Sequence, residues 1–75
     1  PLRSEAEPTM EILVNGRAEQ VEPGTNLAQW IAGKGLHPQQ VAIEVNQALV
    51  PRDQREQVVL QPGDRVEMVS LVGGG

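Results

Sequence analysis

Apolar residues come along this chain in short bursts, and the spacing inside each burst predicts its element. Met10-Glu11-Ile12-Leu13-Val14 is an apolar run of strand length that ends on Asn15-Gly16. That dipeptide is a strong hairpin signal, because a type I′ turn needs positive φ at both central positions. Residues 17–21 return as a second, more polar strand suited to a sheet edge, and Pro23-Gly24 turns the chain. Leu27, Trp30 and Ile31 then fall at i, i+3 and i+4, which places them on one helical stripe flanked by Ala28 and Ala32. Thr25 or Asn26 is positioned to cap this helix at its start, and Gly33 and Gly35 to end it after two to three turns.

Period two returns at Val41, Ile43 and Val45, a third strand with those three residues facing inward. Asn46 and Gln47 lead into Ala48-Leu49-Val50, which Pro51 stops. Val58-Val59-Leu60 is expected to form a brief fourth strand, Pro62-Gly63-Asp64 turns the chain, and residues 66–71 form the last strand. A hairpin, a crossing helix and returning strands predict an α+β fold with a mixed four- to five-stranded sheet packed on one helix. The order suggests a β-grasp of the ubiquitin-like kind, with the last strand central and parallel to the first. The 75 residues therefore divide into one domain over 10–71, a flexible glycine tail over 72–75, and a polar stretch over 1–9. That opening stretch is expected to be a disordered extension or a remnant of cloning.

Charge and composition narrow the partners. A net charge of -4, with one lysine and scattered arginines, argues against nucleic acid, which calls for a basic stripe, and favours a partner that is basic where it touches. There are no cysteines, so a disulfide scaffold, a thiolate metal site and a cysteine nucleophile are all excluded in this chain. No apolar run approaches the roughly 20 residues that span a bilayer. Nothing resembles a signal peptide, so the expected location is cytoplasmic, away from membranes.

Side chains offer little catalytic chemistry. His37 stands in a Gly-Leu-His-Pro loop without a second ligand nearby in sequence, and is expected to be solvated rather than a metal ligand. Trp30 lies on the helical stripe, which makes it core in a chain with no Phe or Tyr. Asp53, Glu56 and Asp64 sit near turns, with Arg52 and Arg55 available to pair with them on the surface. Gly33 and Gly35 lack the strand-before, helix-after setting of a phosphate loop. No catalytic side chain and no metal site is predicted, and the chain reads as something other than an enzyme.

The ending Leu71-Val72-Gly73-Gly74-Gly75 carries what chemistry remains. Consecutive glycines thread a narrow channel because no Cβ meets its wall, and residues 72–75 span about 13–14 Å when extended. By composition alone such an ending reads equally well as a linker or as a functional tether. If it is functional, the reactive group is the terminal carboxylate of Gly75.

From Met10 onward the chain resembles the ThiS-type sulfur carriers of thiamin biosynthesis. The resemblance rests on Met-Glu-Ile-Leu-Val-Asn-Gly at 10–16 and the Pro-Gly-Thr turn at 23–25. It continues through Val45-Asn46, Val50-Pro51-Arg52, Gly63-Asp64 with Val66-Glu67, and Val72 to Gly75. Each piece is short, but their order covers the whole presumed domain. The resemblance implies that a ThiF-like enzyme adenylates Gly75 with ATP and Mg²⁺, this chain binding no cofactor itself. A sulfur donor system then converts the terminus to a thiocarboxylate that serves a ThiG-like thiazole synthase. Gly74 and Gly75 match the family's terminal pair, with Gly73 and Gly74 threading the tail. A MoaD-like carrier for molybdopterin or another sulfur pathway shares the di-glycine end, and a non-carrier β-grasp interaction module needs no free terminus.

Alternation along the last strand puts Val66, Met68 and Ser70 on one face and Glu67, Val69 and Leu71 on the other. If the first set meets the helix, Glu67, Val69, Leu71 and the adjoining Val72 form a docking surface beside the tail. The plainer alternative is that they are ordinary exposed residues of a small sheet.

Overall fold

Asn15 and Gly16 adopt φ of +50° and +85°, the pair of positive angles that the Asn-Gly signal requires. They join β1 (Met10–Val14) to β2 (Arg17–Val21) in antiparallel register, Val14 opposite Arg17 and Met10 opposite Val21. The computed structural model describes residues 8–71, so most of the expected extension and the tail at 72–75 lie outside the described residues. After β2 come α1 (Leu27–Gly33), β3 (Val41–Val45), β4 (Ala48–Leu49) and β5 (Arg65–Ser70). Short 3-10 turns occupy Pro38–Gln40 and Arg52–Gln57.

The strands form one five-stranded mixed sheet in the order β2-β1-β5-β3-β4. β5 is central, parallel to β1 and antiparallel to β3, and β2 lies at an edge, both as the sequence predicts. Ile12, Val41, Ile43 and Val66 are buried, as are Leu27, Trp30 and Ile31 of α1. Val45 is only partly buried, because it lies beside the hairpin at the far edge of the sheet. Together these residues make one core between helix and sheet, completed by Val21, Val50 and Leu60.

Local capping explains why so short a helix forms. Asn26 is the N-cap: its side chain accepts from the Gln29 N–H at 2.8 Å, while the Gln29 side chain accepts from the Asn26 N–H at 3.0 Å. This reciprocal pair satisfies two of the donors that a helix start leaves without partners. At the other end Gly35 takes φ +73°, and the N–H groups of Gly35 and Leu36 donate to the carbonyls of Ala32 and Ile31. That is the Schellman arrangement, with Leu36 folding back onto the core.

Two expectations need correction. Val58-Val59-Leu60 is not a strand of the sheet; Val59 makes only an isolated bridge to Asn26. Its neighbours bond to the approach to α1 instead, Leu27 N–H to the Val58 carbonyl at 2.8 Å and Leu60 N–H to the Thr25 carbonyl at 2.9 Å. The segment's polar backbone groups are engaged there, at the entry to the helix, rather than along an edge of the sheet. Arg55 is also not a surface ion-pair partner. It is only 4% exposed and donates to the carbonyls of Pro38 at 2.8 Å and Val41 at 2.7 Å. The 3-10 turn at Arg52–Gln57 aims it inward, where it ties that turn to the start of β3.

Candidate functional site

The root of the tail is built by β5. Its ladder with β3 pairs Val41 with Ser70 and Ala42 with Val69, and one further bond, from Leu71 N–H to the Gln40 carbonyl at 2.7 Å, continues past the strand end. Leu71, the last of the described residues, is therefore anchored one position beyond β5. On the β1 side the strand runs out at Val14, and the side chain of Asn15 takes over. Its Oδ1 accepts from the Met68 N–H at 2.8 Å and its Nδ2 donates to the Met68 carbonyl at 3.2 Å. The Asn15 amide thus acts as one more rung of backbone, holding β5 two residues further toward the tail.

A second asparagine secures the opposite end of β5. Asn46 and Gln47 have φ of +54° and +72°, a hairpin turn without glycine. Asn46 Oδ1 accepts from the Arg65 N–H at 3.0 Å, and its Nδ2 donates to Asp64 Oδ1 at 3.0 Å. Asp64 Oδ2 in turn accepts from the Gln61 N–H at 2.9 Å, so this carboxylate serves its turn. The carboxylates singled out from sequence are thereby separated: Asp64 belongs to the β3–β4 end, while Asp53 and Glu56 are exposed on the Arg52–Gln57 turn. His37 is exposed and caps the Pro38–Gln40 turn by accepting from the Gln39 N–H at 3.4 Å. Among the described residues no three His, Cys, Asp or Glu side chains gather closely enough to hold a metal ion, and no helix is long and apolar enough to cross a membrane.

Trp30 is core, yet its indole N–H reaches the surface and donates to Glu19 Oε2 at 2.9 Å. Lys34, the only lysine, bonds the other oxygen at 2.5 Å and sits 5.2 Å from the Trp30 ring centre. Partial burial raises the Glu19 pKa, but the hydrogen bonds from Lys34 and Trp30 and the charge of Lys34 outweigh it and hold the carboxyl below its ordinary range. This cluster staples β2 to α1 and lies on the helix side of the sheet.

The open face is where the predicted docking residues meet. Val66 is buried and Met68 packs against the core, so Glu67, Val69 and Leu71 point away from the helix. Val69 and Leu71 are 61% and 62% exposed. Tertiary structure adds residues that the last strand alone does not reveal. Ala42 stands opposite Val69, Glu44 opposite Glu67, and Leu49 of β4, 65% exposed, opposite Glu44. A shallow cleft of about 330 Å³ is lined by Leu49, Leu71, Ala42 and Arg52 among others. The alternation on β3 contains this signal, but which strand lies beside β5 does not follow from it. Val72, Gly73, Gly74 and Gly75 lie outside the described residues.

The profile of the ThiS family matches residues 9–75. A curated sulfur carrier protein ThiS from Escherichia coli (strain K12) is 30% identical over 66 residues, covering 88% of this chain and all of the relative. A thiazole synthase from Magnetococcus marinus is 42% identical over 66 residues, also 88% of this chain but only 20% of the relative. A thiazole synthase from Paramagnetospirillum magneticum matches likewise at 29% identity, so the chain spans about a fifth of the length of both synthases. Among solved structures, the crystal structure of a thiamine biosynthesis protein (ThiS) from Geobacter metallireducens superposes with a TM-score of 0.76 at 25% identity. That match covers 88% of this chain and 100% of the other.

Proposed function

We propose that this chain, which belongs to the ThiS family, acts as a sulfur carrier of thiamin biosynthesis whose working group is the main-chain carboxylate of Gly75. A carboxylate is inert toward nucleophiles, since oxide is a poor leaving group. A ThiF-like enzyme holding ATP and Mg²⁺ removes that obstacle: a Gly75 oxygen attacks the α-phosphorus, pyrophosphate leaves, and an acyl-adenylate forms. Sulfide delivered by the donor system then attacks the carbonyl carbon, the bond to AMP breaks, and loss of the sulfur's proton leaves a thiocarboxylate on Gly75. The domain contributes no side chain to either step. It supplies a rigid root at Leu71 and a tether through Gly73 and Gly74 that clears the walls of an enzyme channel.

The observation that carries this reading is the family match running through the terminal glycines on a fold whose central strand leads to them. Val69, Leu71 and Glu67 beside the tail root, with Val72, then form the docking surface. A partner that receives the tail must seat near Leu71, because the tether spans only about 13–14 Å. The recipient of the sulfur is a thiazole synthase. The two curated synthases that carry a segment similar to this chain within their own length support that partner.

Incubating the 75-residue chain with a ThiF-like enzyme, ATP, Mg²⁺ and a sulfur source should give an intact mass with one oxygen replaced by one sulfur, localised to Gly75. One extra residue after Gly75 should abolish the change. Full activity of such an extended chain, or of a chain lacking Gly74 and Gly75, would sink the proposal.

A further inference from the structure

Glu44 and Glu67 face one another across the two central strands β3 and β5. The bonds that flank them, Asn46 N–H to the Arg65 carbonyl and Leu71 N–H to the Gln40 carbonyl, make 44 and 67 a hydrogen-bonded pair of the ladder. Directly opposed side chains of this kind start about 4.5–5.5 Å apart at Cβ, where like charges destabilise a sheet. Both residues are exposed, and among the described residues neither carboxylate takes part in a hydrogen bond or an ion pair. The Arg65 side chain, the next outward position on β5, likewise makes no ion pair among the described residues and lies at the end away from the tail. The repulsion is therefore left standing in the middle of an open face whose other central members, Ala42, Leu49, Val69 and Leu71, are apolar.

We propose that Glu44 and Glu67 form an acidic clamp for one basic side chain of the protein that takes the tail, an arginine or lysine standing inside an apolar surface that covers Leu49, Val69 and Leu71. A planar guanidinium reaches two carboxylates at once, and covering the apolar rim withdraws the contact from water, where charge-assisted bonds are strongest. The clamp also reads the partner before contact, since this chain carries a net charge of -4 and a basic approach surface is drawn toward it. The identity of that partner rests on the carrier reading above, but the clamp itself is a property of the folded domain. It predicts opposite effects in the free and bound states. Removing one carboxylate relieves the repulsion and stabilises the free domain, while it weakens docking.

The test compares wild type, Glu44→Gln, Glu67→Gln, the double variant and Glu56→Gln, an exposed glutamate on the helix side. Binding to the purified ThiF-like enzyme is measured across salt concentrations, with thiocarboxylate formation followed by intact mass. The double variant should bind about tenfold more weakly at low salt and lose most of the salt dependence. Its KM for thiolation should rise while kcat at saturating carrier stays near wild type, and Glu56→Gln should change neither. Each single variant should melt about 2–4 °C higher than wild type. Equal binding by the double variant, an equal loss in Glu56→Gln, or lower melting temperatures in the single variants would overturn the clamp. Absence of thiolation in wild type would instead overturn the carrier reading and the partner with it.

Discussion

Replacing Arg55 by Met tests whether the root of the tail depends on a buried cation. The guanidinium is 4% exposed, bonds two main-chain carbonyls, of Pro38 and Val41, and makes no ion pair among the described residues. Its Nε has no partner among the described residues, and burial, with Arg52 nearby adding repulsion, pushes its pKa down. A hydrogen bond to a charged donor contributes about 1.5–3 kcal/mol, so losing both removes about 3–6 kcal/mol. Methionine fills much of the volume and ends the desolvation of an unpaired charge, an offset of order 1–3 kcal/mol. The expected net loss is about 2–3 kcal/mol, a large share of the ~3–10 kcal/mol available to a domain this short. Trp30 is the only aromatic residue in the chain, so its fluorescence reports core unfolding without background. With a urea slope near 1 kcal/mol per molar, the midpoint should fall by roughly 2 M. Arg55→Lys should lie between the two, because one ammonium cannot fork to both carbonyls as a guanidinium does. A midpoint for Arg55→Met within about 0.5 M of wild type would refute the reasoning and mean that water already serves those carbonyls. Val41 adjoins Gln40, whose carbonyl holds Leu71, so the Leu71 amide should exchange faster in the variant.

Two further outcomes are expected. Glu19 has a lowered pKa in the folded state, so its contribution to stability is fully present above the unfolded value of about 4.3 and is lost as pH falls through the folded one; an acid titration of stability should therefore be flatter over that window in Glu19→Gln than in wild type. At the end of α1, nothing lies within 4 Å of a Cβ added to Gly33, whereas Gly35 holds φ +73°. Gly33→Ala should raise stability by up to about 1 kcal/mol and Gly35→Ala should lower it by a similar amount, both measured by urea midpoint.

Much of the architecture was legible because it rests on local rules. Asn15-Gly16 can be read as a hairpin wherever it stands between apolar runs, and Leu27, Trp30 and Ile31 declare a helix face by spacing alone. The error at 58–60 came from the same locality. Three apolar residues in a row satisfy a strand pattern, and only the tertiary structure shows that their backbone bonds to residues 25–27 at the helix entry instead of to the sheet. Arg55 misled for a related reason: a charged residue in a polar run reads as solvated, and its burial depends on carbonyls supplied by Pro38 and Val41 from elsewhere in the chain.

What the sequence by itself determined is the first hairpin, the helix, the third and last strands with most of their inward residues, and the family that the ordered motifs and terminal glycines identify. These follow from turn chemistry and side-chain period, which act over a few residues. What only the tertiary structure decided is the neighbourhood of each element. Register places Glu44 against Glu67 and Leu49 beside them, and Asn15 reaches across 53 positions to extend the sheet at Met68. Such pairings join residues far apart in the chain, and their geometry exists only once the sheet has closed.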